Sequence, residues 1–384
     1  NFAVIPACRR VALDNGKVLK QEHQEQWMRR ALELAGKAVG RTSPNPMVGA
    51  VIVKNGRFIA EGYHKKAGRP HGEIEALRKA GKRARGAQMF VNLEPCCHQG
   101  RTPPCADAII ESGIKEVFVG MRDPNPRVAG KGIRQLKRAG ITVHSGILKS
   151  KCQRLNEVFV KYIQTGRPFV TLKSALSLDG KIATATGESQ WITGPEARER
   201  VHRMRDQVDA ILVGAGTVLK DNPRLTTRLK KGKGHNPARV ILDAKAEIPL
   251  NARVFHHASR DRVVYVTTSK ASAVRVNRLK DRGIEIQVIS EKNSHIPLIK
   301  LVKLLGGMEI VSVLLEGGSG VNASALKAGI VDKAVLFLAP LIIGGESTPG
   351  VVGGPGIKRL KQALPIKNLA VTPVGADWMV EGYF

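Results

Sequence analysis

His71-Gly72-Glu73, followed downstream by Glu94-Pro95-Cys96-Cys97-His98-Gln99-Gly100-Arg101-Thr102-Pro103-Pro104-Cys105, is the stretch on which the reading of this chain turns. One imidazole and two thiolates suit a tetrahedral zinc ion that keeps its fourth position for water. Pro70 fixes the chain just before His71, and residues 71–80 then run helically, with Ile74, Leu77 and Ala80 on one face. Met89 to Leu93 reads as a short strand that ends at Glu94-Pro95-Cys96, and Cys105 opens a helix over Ala106–Ser112. Ligands at strand ends and helix starts belong to an α/β layered domain.

The flanking sequence extends this pattern. Apolar positions from Gln26 to Ala38 recur at helical spacing up to Gly40, a candidate C-cap. Val48 to Val53 reads as a buried strand, Asn55-Gly56 as a hairpin turn, and Arg57 to Gly62 as the returning strand. Val117–Gly120, Ile133–Ala139 and Ile141–Val143 continue as strand, helix and strand. A histidine ligand two residues before a glutamate is the pattern of a zinc deaminase, whose glutamate moves protons and does not bind the metal. His71, Cys96 and Cys105 are the candidate ligands, and Glu73 is the candidate proton carrier. Adjacent residues of an extended segment point opposite ways, so Cys96 and Cys97 cannot both ligate. A closed site using Cys97 or His98 as a fourth ligand is the alternative, and it would leave Glu73 without a task. The eight residues between Cys96 and Cys105 depart from the two found in the commonest deaminase motif, and Arg101 and Thr102 there are suited to gripping polar groups of a substrate.

At 384 residues the chain is too long for one ordinary core, and two domains are expected. No stretch approaches the roughly 20 apolar residues of a membrane helix, and residues 1–20 read as a polar leader without a secretory pattern. The five cysteines, odd in number and clustered around Pro95, fit a reducing cytoplasm and a bound metal better than disulfides. A net charge of +30 invites nucleic acid, but aromatics are only 4%, too few for base-stacking platforms. Small phosphorylated ligands account for the charge better. The rival reading is a nucleic-acid base deaminase with an RNA-binding second domain.

The second half alternates strands and helices, which implies a mostly parallel sheet with both faces covered. Strands are expected at Phe169–Lys173, Ala210–Gly214, Arg239–Leu242, Val263–Thr267, Ile284–Ile289, Ser312–Leu315 and Ala334–Leu338. Pro195–Met204 reads as a helix capped by Thr193. Val313 to Leu315 runs into Glu316-Gly317-Gly318-Ser319-Gly320, with a helix from Val321 to Ala328. Free N–H groups at that turn suit a phosphate, although the turn lacks the Gly-x-Gly-x-x-Gly fingerprint.

Cys96-x-His98-x-Gly100-Arg101-Thr102-Pro103-Pro104-Cys105 closely resembles the bifunctional riboflavin-biosynthesis family, a diaminohydroxyphosphoribosylaminopyrimidine deaminase fused to a 5-amino-6-(5-phosphoribosylamino)uracil reductase. Pro44-Asn45-Pro46-x-Val48-Gly49, Gly62-Tyr63-His64, Asp123-Pro124-Asn125-Pro126, Ser177-Leu178-Asp179-Gly180 and Gly187-Glu188-Ser189-Gln190-Trp191-Ile192-Thr193 carry the same resemblance. The one motif departure is Gly72, where the family usually has Ala. The resemblance implies a cytidine-deaminase-like α/β/α domain over 22–165 and a dihydrofolate-reductase-like α/β domain over 166–384. It implies Zn²⁺ and NADPH as cofactors, a phosphorylated pyrimidine as substrate, no nucleic-acid or membrane partner, and a homo-oligomer. Carried over by motif, Ala175, Trp191, Thr217, Asp221 and Gly318, Ser319, Gly320, Val321, Asn322, Ala323 and Ser324 would contact the cofactor. Ser189, Arg205, Leu225, Arg228 and Glu316 would contact substrate, and Asp179 would orient its ring or ribose hydroxyls.

Overall fold

The computed structural model describes residues 15–99, 103–291 and 295–384, with side chains from residue 21 onward. The leader segment 1–14, Cys8, and Gly100, Arg101 and Thr102 of the inter-cysteine loop lie outside the described residues. The chain divides into two compact units, Asn1–Val160 and Lys161–Phe384. Among the described residues no helix is long and apolar enough to cross a membrane.

The first unit contains α1 (Asn15–Gly36), β1 (Gly49–Lys54), β2 (Arg57–Tyr63), α2 (Gly72–Ala80), β3 (Gln88–Leu93), α3 (Cys105–Glu111), β4 (Glu116–Met121), α4 (Lys131–Arg138), β5 (Thr142–Ser145) and α5 (Lys149–Leu155). Its sheet has the order β2-β1-β3-β4-β5. The β1–β2 and β1–β3 pairs are antiparallel, and β3–β4 and β4–β5 are parallel. Asn55 and Gly56 both have positive φ, as a two-residue hairpin turn requires. The parallel register sets Phe90 against Phe118 and Phe118 against His144. Their rings stack across three strands, with centroids 4.4 and 4.7 Å apart. Two buried asparagines pin the entry to β1. Asn156 accepts from Met47 N (2.8 Å) and donates to Met47 O (3.0 Å), and Asn92 donates to Met47 O (2.9 Å) and accepts from Gly49 N (2.8 Å). Paired in this way, their burial carries little desolvation cost. The structure differs from the sequence reading at both ends of the unit. The first helix starts well before Gln26 and closes at Gly36, and α5 carried no sequence signal.

After α6 (Glu157–Thr165), the second unit contains β6 (Phe169–Ser177), α7 (Pro195–Gln207), β7 (Ala210–Gly214), α8 (Ala215–Asp221), β8 (Ala238–Leu242), β9 (Val263–Thr267), α9 (Ala273–Lys280), β10 (Glu285–Val288), α10 (Leu298–Gly307), β11 (Ser312–Leu315), α11 (Ser319–Lys327), β12 (Lys333–Ala339), β13 (Lys367–Val374) and β14 (Asp377–Tyr383). The sheet order is β10-β9-β8-β7-β11-β6-β12-β14-β13. Pairing is parallel from β10 to β12 and antiparallel through β14 and β13. Alternate residues along the central strands feed two cores. Val170, Leu172, Leu212, Val240 and Val264 pack with Leu301 and Leu305 of α10, whereas Ile211, Val213, Ile241, Tyr265 and Leu314 pack with Val218 of α8 and Leu279 of α9. Burial on both faces explains why these strands read as continuous apolar runs. A smaller core sets Ala197 and Val201 of α7 on Val335, Phe337 and Met379.

Thr193 is not the cap of α7. Gly194 is the N-cap residue, and no side chain caps the helix. Its N–H donates to Asp377 Oδ2 at 2.7 Å, and Arg198 donates to Thr193 O at 2.7 Å. Helix α11 begins at Ser319, two residues ahead of Val321. The closing β13–β14 hairpin was absent from the sequence reading.

Candidate active sites

His71 is the N-cap residue of α2, with extended φ −70° and ψ 165°, and Cys105 is the first residue of α3. Cys96 follows β3. The ligand atoms of these three residues lie within 4.8 Å of one another. His71 Nδ1 is 3.2 Å from Cys105 Sγ and 3.6 Å from Cys96 Sγ. Zinc–nitrogen and zinc–sulfur bonds at the tetrahedral angle put N and S about 3.6 Å apart, so the donor set fits that ion. The backbone N–H of Cys105 points at Cys96 Sγ, 3.4 Å away. Hydrogen bonding from Cys105 and His71 outweighs burial and pulls the Cys96 thiol down to about 4, in the thiolate range.

Glu73 stands in the first turn of α2 and is 2% exposed. Its Oε2 has no hydrogen-bond partner. Burial pushes the carboxyl up to about 7, against the pull of His71. Gly72, between ligand and carboxylate, sits where a Cβ would lie 2.7 Å from Val48 O. A side chain there requires the start of α2 to move away from β1. His64, 1% exposed, meets His71 edge-on with ring centroids 5.2 Å apart. Burial lowers its pKa, so the ring is neutral. Nδ1 lies 3.1 Å from Pro70 O, an obligate acceptor, which places the proton on Nδ1. His64 therefore anchors the residue that precedes the histidine ligand. His64→Ala is expected to weaken zinc retention roughly tenfold or more; competition with a chromogenic chelator reads this directly. Glu94 anchors the other side, accepting from the N–H groups of Asp123 (3.1 Å), Gly130 (3.0 Å) and Ile133 (3.1 Å). The His98 ring is held with its Nδ1 buried and unpartnered. Cys97 faces a different groove, with Lys131, Arg134 and Arg138.

The second unit carries a cleft of about 700 Å³. Ala175, Ser189, Trp191, Arg205, Thr217, Asp221, Leu225, Arg228, Glu316 and Gly318 all line it. Ser189 donates to Asp221 at 3.1 Å. Trp191 is 67% exposed, and the guanidinium of Arg198 lies 4.8 Å from its ring centroid. Ser319 to Ser324 continue from Gly318 into α11 and do not line the cleft. Val321 packs toward the core, and Asn322 is fully buried, donating to Val351 O at 2.9 Å. Asp179 accepts from Ser177 Oγ and from the N–H groups of Ile343 (3.2 Å) and Gly344 (2.8 Å), which engages it with the backbone.

Glu316 sits at the floor of the cleft. Arg205 donates to both of its oxygens, at 2.7 and 2.8 Å, and to Thr226 O at 3.2 Å. Lys173 Nζ stands 3.7 Å from the same carboxylate. Burial works to raise Glu316, but the charges of Arg205 and Lys173 prevail and hold it at about 2. His202 is pushed down to about 4 by burial and by Arg205 and Arg228, and its Nδ1 accepts from Arg228 N at 3.3 Å. The ring is neutral, with its proton on Nε2.

The match to known proteins covers both units. The family model for the cytidine and deoxycytidylate deaminase zinc-binding region matches residues 21–121, and that for the RibD C-terminal domain matches residues 168–380. The riboflavin biosynthesis protein RibD of Actinobacillus pleuropneumoniae is 45% identical over 355 residues, which span 92% of this chain and 94% of that protein. RibD of Acinetobacter baumannii superposes with a TM-score of 0.85 at 38% identity, over 94% of this chain and 99% of the other. The Thermotoga maritima diaminohydroxyphosphoribosylaminopyrimidine deaminase/5-amino-6-(5-phosphoribosylamino)uracil reductase gives 0.83 at 41% identity, over 95% and 99%. The chain belongs to the RibD family. It is a bifunctional enzyme of riboflavin biosynthesis, a zinc-binding deaminase joined to a reductase. The two expected fold types are those of the RibD family, and a nucleic-acid base deaminase with an RNA-binding module is not favoured.

Several residues of this RibD-family chain that shape the sites carried no role in the sequence reading. His64 and Asp123 stood in quoted motifs without an assignment, and Glu94 was seen only as the residue before Pro95. A signal existed for Lys173, a lone cation closing an apolar strand. Arg198, His202, Arg224, Lys230 and Arg253 also line the cleft, drawn from helix and loop segments without a motif.

Proposed function

We propose that the first unit hydrolytically deaminates 2,5-diamino-6-(5-phosphoribosylamino)pyrimidin-4-one and that the second reduces the resulting ribosyl compound to 5-amino-6-(5-phosphoribitylamino)uracil with NADPH. The observation that carries the first half is the buried Glu73 carboxyl, one oxygen of which has no partner, beside one nitrogen and two sulfur donors spaced as zinc requires. His71, Cys96 and Cys105 would hold the zinc, which would supply an activated water at neutral pH. Glu73 carries one proton from the attacking water to a ring nitrogen and a second from the newly formed hydroxyl to the exocyclic amine, which then leaves as ammonia. The start of α2 holds Glu73 for that work, and His64 and Glu94 hold the two sides of the ligand set.

In the cleft, Ala175, Trp191, Thr217, Asp221 and Gly318 would hold NADPH, which would supply hydride. Ser189, Leu225, Arg228 and Glu316 hold the substrate, and Arg205 and Lys173 keep Glu316 ionised and fixed. No covalent protein group is needed; the residues align the sugar C1′ with the cofactor and exclude water. The cleft's size and its convergence of polar groups on one floor support this reading. The partners are therefore phosphorylated small molecules rather than nucleic acid.

Removal of zinc by a chelator is expected to abolish ammonia release while sparing NADPH oxidation on the already deaminated substrate. Parallel assays of ammonia and of absorbance at the nicotinamide band check this. Loss of both activities together would contradict the assignment of zinc to the first unit alone.

A further inference from the structure

A phosphate entering the cleft of the second unit meets fewer free donors than the arginine content suggests. Arg205 is spent within the protein: Nε and Nη2 go to the two oxygens of Glu316, and Nη1 goes to Thr226 O. Arg228 Nη1 donates to Thr226 Oγ1 at 2.9 Å, and no ion pair reaches its guanidinium among the described residues. Burial and the charges of Arg205, Arg224 and Arg253 all disfavour the Arg228 cation. A cation in such surroundings gains most from an anionic ligand. A phosphate monoester offers three strong acceptor oxygens, more than one guanidinium fork satisfies.

The missing donor is at hand on α7. His202 stands one helical turn before Arg205 and lines the same cleft as Arg228 and Glu316. Its Nδ1 accepts from Arg228 N at 3.3 Å, which leaves the proton on Nε2. Nε2–H has no protein partner among the described residues, and it is not one of the polar atoms sealed from solvent without one. Burial, with the charges of Arg205 and Arg228, holds the ring neutral by pushing it down to about 4. A neutral imidazole donates a hydrogen bond without adding another positive charge beside Arg205 and Arg228. One end of the ring fixes the backbone that carries Arg228, and the other end is open to whatever Arg228 binds.

We propose that His202 Nε2–H donates to a phosphate oxygen of the ribosyl substrate, beside Arg228, while Nδ1 holds the Arg228 backbone in place for that contact. The proposal rests on the reductase reading given above and adds a substrate-contacting residue to it. Asparagine and glutamine separate the two ends of the ring. His202→Asn puts an acceptor near the position of Nδ1 and leaves nothing at Nε2; His202→Gln reaches the Nε2 position with an N–H. The assay is NADPH oxidation by the full chain on the deaminated ribosyl phosphate. His202→Asn is expected to raise the substrate KM roughly tenfold or more, the worth of one hydrogen bond to a charged group, with kcat within a few-fold and the KM of NADPH as in the parent. His202→Gln is expected to recover most of that loss. With the dephosphorylated ribosyl compound, His202→Asn and the parent are expected to share one kcat/KM, whereas a merely structural defect lowers it on both substrates. An unchanged substrate KM in His202→Asn, or equal losses on the two substrates, would overturn the proposal. A rise confined to the KM of NADPH would move the contact to the cofactor's 2′-phosphate and overturn it too. Should His202→Asn misfold, His202→Gln decides: a KM near the parent's upholds the contact, and a tenfold rise overturns it. A parent chain that oxidises no NADPH with the ribosyl phosphate would overturn the reductase reading itself, and this proposal with it.

Discussion

Glu73→Gln is expected to lower ammonia release by roughly a thousandfold, within the range attributed to a positioned acid–base group, while zinc content and NADPH oxidation stay unchanged. Glutamine matches glutamate in size and keeps a hydrogen-bonding head, so packing of α2 is preserved. It cannot carry the proton. A buried oxygen without a partner costs about 1–3 kcal/mol, and Glu73 Oε2 is such an atom at 2% exposure of its residue. That placement is wasteful for a structural residue and apt for one that meets a substrate proton. Metal analysis beside an ammonia assay separates the outcomes. Turnover within a few-fold of the parent would sink the proton-carrier role, and zinc lost together with activity would recast Glu73 as a support for the ligands.

Arg205→Ala is expected to destabilise the second unit by about 3–5 kcal/mol, because it strips a buried carboxylate of its main partner. Arg205 and Glu316 side chains are 12% and 9% exposed, so solvent offers little screening. NADPH oxidation should fall with the loss of fold, and ammonia release should persist. The pH dependence follows with a definite sign. Glu316 is held at about 2 against an ordinary 4.5, so its stabilising contribution is present above about 4.5 and lost as pH falls toward 2. In the alanine variant that acid limb moves to higher pH. Arg205→Lys keeps the charge without the two-pronged geometry and should fall between the two. Thermal unfolding at several pH values checks all three. A variant with unaltered melting and only a raised substrate KM would instead make Arg205 a direct substrate contact, as the family resemblance implied.

The contrast at Arg205 shows what the sequence could and could not convey. Motif spacing singled out His71, Cys96 and Cys105, whose donor atoms the fold brings together, and Glu73 near them, because a helix start and a strand end are local features with local signals. The ten residues that line the second cleft, from segments far apart in the chain, were implied by the family resemblance alone. What Arg205 touches is not local. Its partner lies 111 residues away, across a parallel sheet whose order only the fold reveals. The same limit hid His64, whose role depends on the Pro70 carbonyl being folded over it. It likewise hid the reason for Gly72, which is the approach of the Val48 carbonyl. The β13–β14 hairpin escaped notice because β13 is exposed on both faces and lacks a clean polar–apolar alternation.

The most direct test of the account is one incubation of zinc-loaded protein with the diaminopyrimidine ribosyl phosphate and NADPH, with ammonia and NADPH followed separately in time. One chain carrying both activities in sequence predicts one NADPH consumed per ammonia released, with ammonia appearing first. The same mixture with Glu73→Gln should release almost no ammonia, yet oxidise NADPH normally once deaminated substrate is added. Unaltered protein that consumes NADPH without releasing ammonia, or releases ammonia and never consumes NADPH, would contradict it.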